Sequence, residues 1–375
     1  FGFLNAASSD APGNVALLDQ VLALHWVKEN IASFGGNSSE VTLLGHGSGA
    51  TSAGYHLLNR DDKELYLLLR RFIFHSGTPF RPTRDNTGRA EDNLRSLARR
   101  LECSRPDAAE AAELLSCLRD RSSSEITAAA AGMKQELGLQ IGPLFGPSFN
   151  AYPLEGSEPW RLHRMLSQQV ENRDILVGSV FDDGGRWIRS YGEACGEPHD
   201  RPRGNLESSV QMCSRQLDQL QLPRRNRHQL LSLYKLYDGV PERSPSSRLM
   251  QWRRLLADVF FVCPVLFWAT ELSRVRSRLR MFRFSDGPDQ AGTVVDDLSL
   301  VLGGPLLSKS ASRKEEDFSI RVLSTWVSFA RDGLLYTHKA WQFDDGAIER
   351  LVGDLLAPCA TESVAVVGLP RLAER

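Results

Sequence analysis

Residues 41 to 50 read VTLLGHGSGA. Four β-forming or apolar residues run into glycines at 45, 47 and 49, and a small-residue stretch continues through His56-Leu57-Leu58. Such an uninterrupted apolar run predicts a central strand of a parallel sheet, which is covered on both faces. Glycine tolerates backbone conformations that other residues resist, so the alternate glycines predict a tight turn with a helix opening directly from it. That junction demands a sheet with helices packed on it.

The rest of the chain repeats the alternation. Leu17, Val21, Leu24, Val27 and Ile31 fall at helical spacing, and Phe34-Gly35-Gly36 stops them. Phe72-Ile73-Phe74, Ile175-Leu176-Val177-Gly178 and Met281-Phe282-Arg283-Phe284 read as further short strands, the second of these leading into Asp182-Asp183-Gly184-Gly185. Strands separated by long helical segments predict an α/β fold with a mostly parallel central sheet and helices on both faces. Residues 108–115, 128–131 and 320–332 read as helical. Residues 189–248 are polar and rich in Pro, Arg and Ser, and read as a cap or surface insertion. Nothing marks a second domain, so 1–375 reads as one domain. The most apolar stretch, Leu255 to Leu272, contains Asp258 and Pro264 and reads as a buried core helix instead of a membrane span.

Charge narrows the partners. With 24% charged residues and a net charge of -1, no overall field recruits nucleic acid or an acidic membrane. The basic runs Arg224 to Arg227 and Arg274 to Arg278 read as solvated helix faces, with a partner patch as the alternative. The chain opens on Phe1 with no charged-then-apolar leader, and reads as an N-terminally truncated piece. Six cysteines are present. Cys103 and Cys117 bracket a short helical stretch, and Cys195 and Cys213 flank one polar segment. These spacings suit local disulfide loops, with buried free thiols as the alternative; no CxxC or HxxxH grouping supplies metal ligands. No cofactor motif stands out. The tripeptide Asn37-Ser38-Ser39 is an N-glycosylation sequon and agrees with an extracellular setting.

A strand, a tight glycine turn and a helix also make the nucleophile elbow of α/β hydrolases, G-x-S-x-G. Around it stand Gly13-Asn14-Val15-Ala16-Leu17-Leu18-Asp19-Gln20, Trp26-Val27-Lys28-Glu29-Asn30-Ile31, Phe34-Gly35-Gly36-Asn37, Phe74-His75-Ser76-Gly77, Cys117-Leu118-Arg119, Cys263-Pro264, Val301-Leu302-Gly303 and Phe329-Ala330-Arg331-Asp332-Gly333. Over nearly its whole length the chain resembles the type-B carboxylesterase and cholinesterase family, whose fold is the α/β hydrolase. That family writes its elbow G-E-S-A-G-A. Gly45, Gly49, Ala50, Ser52, Gly54, His56, Leu57 and Leu58 match without a gap, which places Gly47 at the nucleophile and Ser48 at the family's alanine.

The resemblance implies a degenerate triad. Ser48 is a poor substitute, because one step along a helix start rotates a side chain by about 100°; its N–H is at the oxyanion-type donor position. The family's acid falls at Asp183, for which a plain Asp-Gly turn is the other reading. Counting back from Val301-Leu302-Gly303, with Asp297 at a family acidic position, puts the base at Val294. No histidine lies between His228 and His338, and His338 sits in an expected surface loop. His56 and His75 match family positions outside the triad, and His46 replaces the family's glutamate. Losing both serine and histidine leaves no nucleophilic mechanism, because triad members act as a unit.

The expectation is therefore a pseudoenzyme that binds an extracellular protein, like the neuroligins, the neurotactin-like and glutactin-like adhesion proteins and the C-terminal domain of thyroglobulin. An ester hydrolase with a rearranged site around Ser48, and a carrier of a small apolar ligand in the family's gorge, are the alternatives. The family pattern also implies the disulfides Cys103–Cys117 and Cys263–Cys359; a Cys195–Cys213 bridge would be a third. It implies a secreted or cell-surface location, and a dimer through C-terminal helices is left open. Relative to the family, the first strands and the last helix are missing, which would expose a sheet edge.

Overall fold

The computed structural model describes residues 2–59, 62–80, 90–103, 111–136, 144–149, 172–180, 224–236, 245–273, 278–284 and 297–334, with single positions 151, 154, 170, 214, 217 and 275. A short hairpin, β1 (Asn5–Ser8) and β2 (Ala11–Pro12), leads into α1 (Val15–Asn30), which tightens to a 3₁₀ turn over Ile31–Phe34. Then come β3 (Val41–His46), α2 (Ser48–Leu58), α3 (Lys63–Leu68) and β4 (Leu69–His75). Helices α4 (Ala90–Arg100), α5 (Ala111–Arg119) and α6 (Ser123–Glu136) precede β5 (Asp174–Val180). Next are α7 (Arg224–Leu233), α8 (Pro245–Ala257), a π turn at Asp258–Val262, α9 (Cys263–Ser273) and β6 (Arg278–Phe284). Helices α10 (Asp297–Val301), α11 (Gly304–Leu307) and α12 (Arg313–Asp332) complete the described chain.

The four long strands pair in parallel in the order β3-β4-β5-β6. In β4 and β5 the side chains alternate between two covered faces, which is why they read as unbroken apolar runs; β3 stands at an edge of the described sheet and is mostly half-buried, where the sequence reading expected a central strand. Phe72, Phe74, Ile175, Val177 and Met281 face a layer built from α2, α3 and α9. Ile73, Leu176, Val180, Phe282 and Phe284 face α10 and α12, through Leu300, Val322, Trp326 and Phe329. The run Arg254–Ser273 is long and apolar enough to cross a membrane, but 89% of it is buried inside the protein, so it serves as the core helix that Asp258 and Pro264 implied. Pro264 offers no N–H and its ring crowds the carbonyl four residues back; the wider π turn just before it accommodates both.

At the opposite end from the elbow, charged residues fasten α12 to the sheet. Thr42 Oγ1 and Arg71 Nη1 both donate to the Ala330 carbonyl, at 3.1 and 3.2 Å. Arg71 also pairs with Glu40 at 2.7 Å, and Asp174 accepts a forked pair of bonds from Arg278. Arg278 therefore opens β6, which corrects the reading of its basic run as a helix face. Arg224 and Arg225 do lie exposed on α7. Helix α12 starts at a Ser312/Glu315 capping box and stops at Gly333 in the left-handed region, φ 69°. A separate cluster of α4, α5 and α6 packs against β1 around the Cys103–Cys117 disulfide.

Candidate functional site

The elbow lies where β3 ends and α2 begins. Gly47 sits between them at φ 57° and ψ -117°, a conformation that L side chains rarely adopt. Its N–H donates to the His75 carbonyl at 2.8 Å, and its own carbonyl accepts from the Thr51 N–H at 3.2 Å, so the turn is tied to β4 on one side and α2 on the other. A Cβ on Gly47 would meet nothing within 4 Å. Gly45 is the opposite case: a Cβ there would strike the Gly49 carbonyl and come within 2.6 Å of the Ala50 Cα. The turn is close-packed beneath and open above. Ser48 is the first residue of α2 and exposed, so its N–H is among the donors a helix start leaves without an intrahelical partner. Among the described residues no hydrogen bond joins Ser48 to a histidine.

The strand register sets two imidazoles side by side below that turn, and a carboxylate from α10 joins them. His46 pairs with His75 across β3 and β4, and His75 with Gly178 across β4 and β5. Asp297, the first residue of α10, reaches both imidazoles: 2.8 Å from Oδ2 to His75 Nδ1 and 3.4 Å from Oδ1 to His46 Nε2. His75 and Asp297 are fully buried, whereas the His46 side chain is 30% exposed. The Trp326 indole, on α12, donates to His75 Nε2 at 2.8 Å. An indole can only donate, so Nε2 is the acceptor and Nδ1–H donates to Asp297. Phe282, at 4.6 Å between ring centroids, completes the apolar jacket around this imidazole.

The charges follow from this geometry. Burial is the largest influence on His75 and lowers its pKa; the hydrogen bond and charge of Asp297 oppose this, the charge of His46 adds to it, and the imidazole is left neutral. For Asp297, burial alone would raise the carboxyl, but the hydrogen bonds it accepts from His46 and His75, and its electrostatic attraction to these two rings, hold it well below the usual carboxylate range. A carboxylate orienting an imidazole is half of a relay. Here the other half is closed, because the nitrogen that would take a proton from a nucleophile already accepts from Trp326.

Sequence reading recognised His46, His75 and Asp297 by position only and gave no chemistry to their meeting. His75 and Asp297 are 222 residues apart, and Trp326 is 251 from His75. The available signal was weak: a histidine where the pattern has glutamate, beside a retained aspartate. Asp183, Val294 and His338 lie outside the described residues, as do Cys195, Cys213, Cys359 and most of 189–248. Cys103 and Cys117 are bridged. Cys263 is disulfide-bonded to a partner outside the described residues. His56 is buried on α2, hydrogen-bonded to Gln20 at 2.8 Å and remote in role from the elbow. Among the described residues no group of His, Cys, Asp or Glu is arranged to hold a metal ion.

A parallel sheet with helices on both faces, and a strained glycine joining a strand to a helix at the carboxyl ends of the strands, defines an α/β hydrolase fold. The chain belongs to the carboxylesterase family, whose pattern matches residues 1–343. It is 28% identical over 346 residues to cholinesterase of Mus musculus, covering 88% of this chain and 54% of that protein. It is 27% identical over 347 residues to thyroglobulin of Mus musculus, covering 89% of this chain and 12% of that protein. Carboxylesterase 5A of Mus musculus is 27% identical over 355 residues, covering 89% of this chain and 56% of that protein. The chain thus spans about half the length of the two esterase relatives and a small part of thyroglobulin.

Proposed function

We propose that this is a non-catalytic, cholinesterase-like domain that acts by binding an extracellular protein, as a cell-adhesion or receptor-type ectodomain does. The observation that carries the reading is Gly47: the elbow keeps the strained backbone of a nucleophile position and the open space above it, and offers only a hydrogen there. His75, the imidazole that Asp297 orients most closely, has its second nitrogen filled by Trp326. Similarity to thyroglobulin over 89% of this chain supports the same reading. The Cys103–Cys117 bridge supports an extracellular setting, since disulfides persist in oxidising compartments.

The test is covalent labelling with a fluorophosphonate, together with turnover of acetate and butyrate esters, on the purified protein and on Gly47→Ser. Neither protein is expected to label, because Val294 leaves even an introduced serine without a base. Stoichiometric labelling of the wild-type protein, mapped to a residue of the elbow, overturns the proposal.

A further inference from the structure

Among the described residues, side-chain hydrogen bonds tie α12 to the rest of the protein at three levels. Toward its start Ser319 Oγ donates to the Leu300 carbonyl at 2.8 Å. Toward its end the Ala330 carbonyl accepts from Thr42 and Arg71. Between these, Trp326 donates to His75 Nε2 at 2.8 Å. Hydroxyl, guanidinium and carbonyl groups keep their charge between about pH 5 and 8, whereas an imidazole changes its own there. The middle tie is therefore the one that acid can undo. His75 holds its one ring proton on Nδ1 and directs it at Asp297. A second proton has only Nε2 to go to, where it would face the indole N–H, donor against donor. Turning the ring gives no relief, because a protonated imidazole donates from both nitrogens.

The elements packed on His75 set how strongly it resists that proton. From α10 comes the Asp297 carboxylate, whose charge favours it; from β3 comes His46, with ring centroids 6.5 Å apart, whose charge opposes it. Phe282 and Phe284 of β6, Gly178 of β5 and Trp326 of α12 are uncharged. The charged side chains of α12 are exposed, apart from the half-buried Glu316. Burial opposes the proton most, so His75 accepts it when the site opens to water. We propose that the Trp326–His75 bond is an acid-released latch, broken when His75 is protonated, which holds the middle of α12 on the sheet at neutral pH and lets it loosen in acid. The latch is independent of what the domain binds. The closed state binds fewer protons than the open one, so its advantage is full above about pH 6.5 and falls below it, by at most about tenfold in the opening equilibrium per pH unit.

The test is hydrogen exchange of the α12 amides in the purified protein from about pH 7.5 to 5, corrected for the intrinsic pH dependence of exchange, with the Trp326 indole N–H resonance followed in parallel. Protection over Arg313–Asp332 is expected to fall by up to about tenfold per pH unit below 6.5, and the indole resonance to lose its hydrogen-bonded shift over the same range. His75→Gln, whose side chain takes up no proton here, should remove the slope. Trp326→Phe should show lowered protection already at neutral pH and a flatter slope. His46→Gln, which removes the opposing charge, should move the fall to higher pH. His56→Gln should leave the slope at α12 intact, because His56 is held by Gln20 on α2 and is released only when the whole domain unfolds. Unchanged α12 protection in acid overturns the proposal, as does a slope that persists in His75→Gln or vanishes in His56→Gln. Should the variants fail to fold, an indole resonance of the wild-type protein that stays in place across the range overturns it by itself.

Discussion

Gly45→Ala and Gly47→Ala are expected to differ sharply although only one residue separates them. At Gly45 the added methyl would meet the Gly49 carbonyl and lie 2.6 Å from the Ala50 Cα, against about 3.5–4.0 Å for a comfortable carbon contact. Helix α2 would have to rise from β3 by about 1 Å. It is not free to do so, because the turn is held by Gly47 N–H to His75 and by Thr51 N–H to Gly47. Overpacking against backbone on this scale costs about 3 kcal/mol or more. At Gly47 the methyl meets nothing within 4 Å, and the expense is only the φ 57°, ψ -117° backbone, about 1–3 kcal/mol. Urea unfolding of both variants measures the difference. The Trp326 indole N–H resonance reports whether the His75 network moved, as it should in Gly45→Ala alone. Equal losses, or a larger loss at Gly47, would refute the account of the elbow as tight beneath and open above.

Three further outcomes follow from buried polar groups. Burial pushes His56 down to about 4 from an ordinary 6.5, so the unfolded chain binds the extra proton between those values. Stability contributed by neutral His56 is full above pH 6.5 and falls by about 3 kcal/mol toward pH 4; urea midpoints against pH should show this slope, flattened in His56→Gln. Asn14 is fully buried and holds the Ser148 and Ala151 carbonyls and the Ser148 N–H at 2.7, 3.0 and 2.9 Å, so Asn14→Ala should cost about 3 kcal/mol in denaturant unfolding. Trp326→Phe strips His75 Nε2 of its donor; it should cost about 1–3 kcal/mol and change the His75 ring-nitrogen chemical shifts, which report its tautomer. Unchanged shifts would disprove the tautomer assignment.

How far each feature could be read in advance follows from its range along the chain. The elbow was legible because its parts are contiguous: β-formers commit residues 41 to 44, and the turn needs glycine where a Cβ would strike backbone, at Gly45. The end of α12 was legible in the same way, at Asp332-Gly333, but its start was read at 320 although the helix opens at Arg313 behind the Ser312/Glu315 capping box. Arg278 was misread because its partner Asp174 is 104 residues away, and a basic run looks alike on a helix face and at a strand end. The π turn at Asp258–Val262 was hidden for a related reason, since Pro264 announces a disturbance without saying which form the helix takes to absorb it.

Residue pattern by itself determined that strands such as β4 and β5 would be buried on both faces, that glycine would stand at the turn, and that no hydroxyl would occupy position 47. Only the tertiary structure decided that His46, His75 and Asp297 meet beneath that turn, and that the Trp326 indole closes the last imidazole nitrogen. Amphipathic spacing records which side of an element is covered. It does not record which side chain from a distant element does the covering; that is settled by strand register and by where α10 and α12 pack on the sheet.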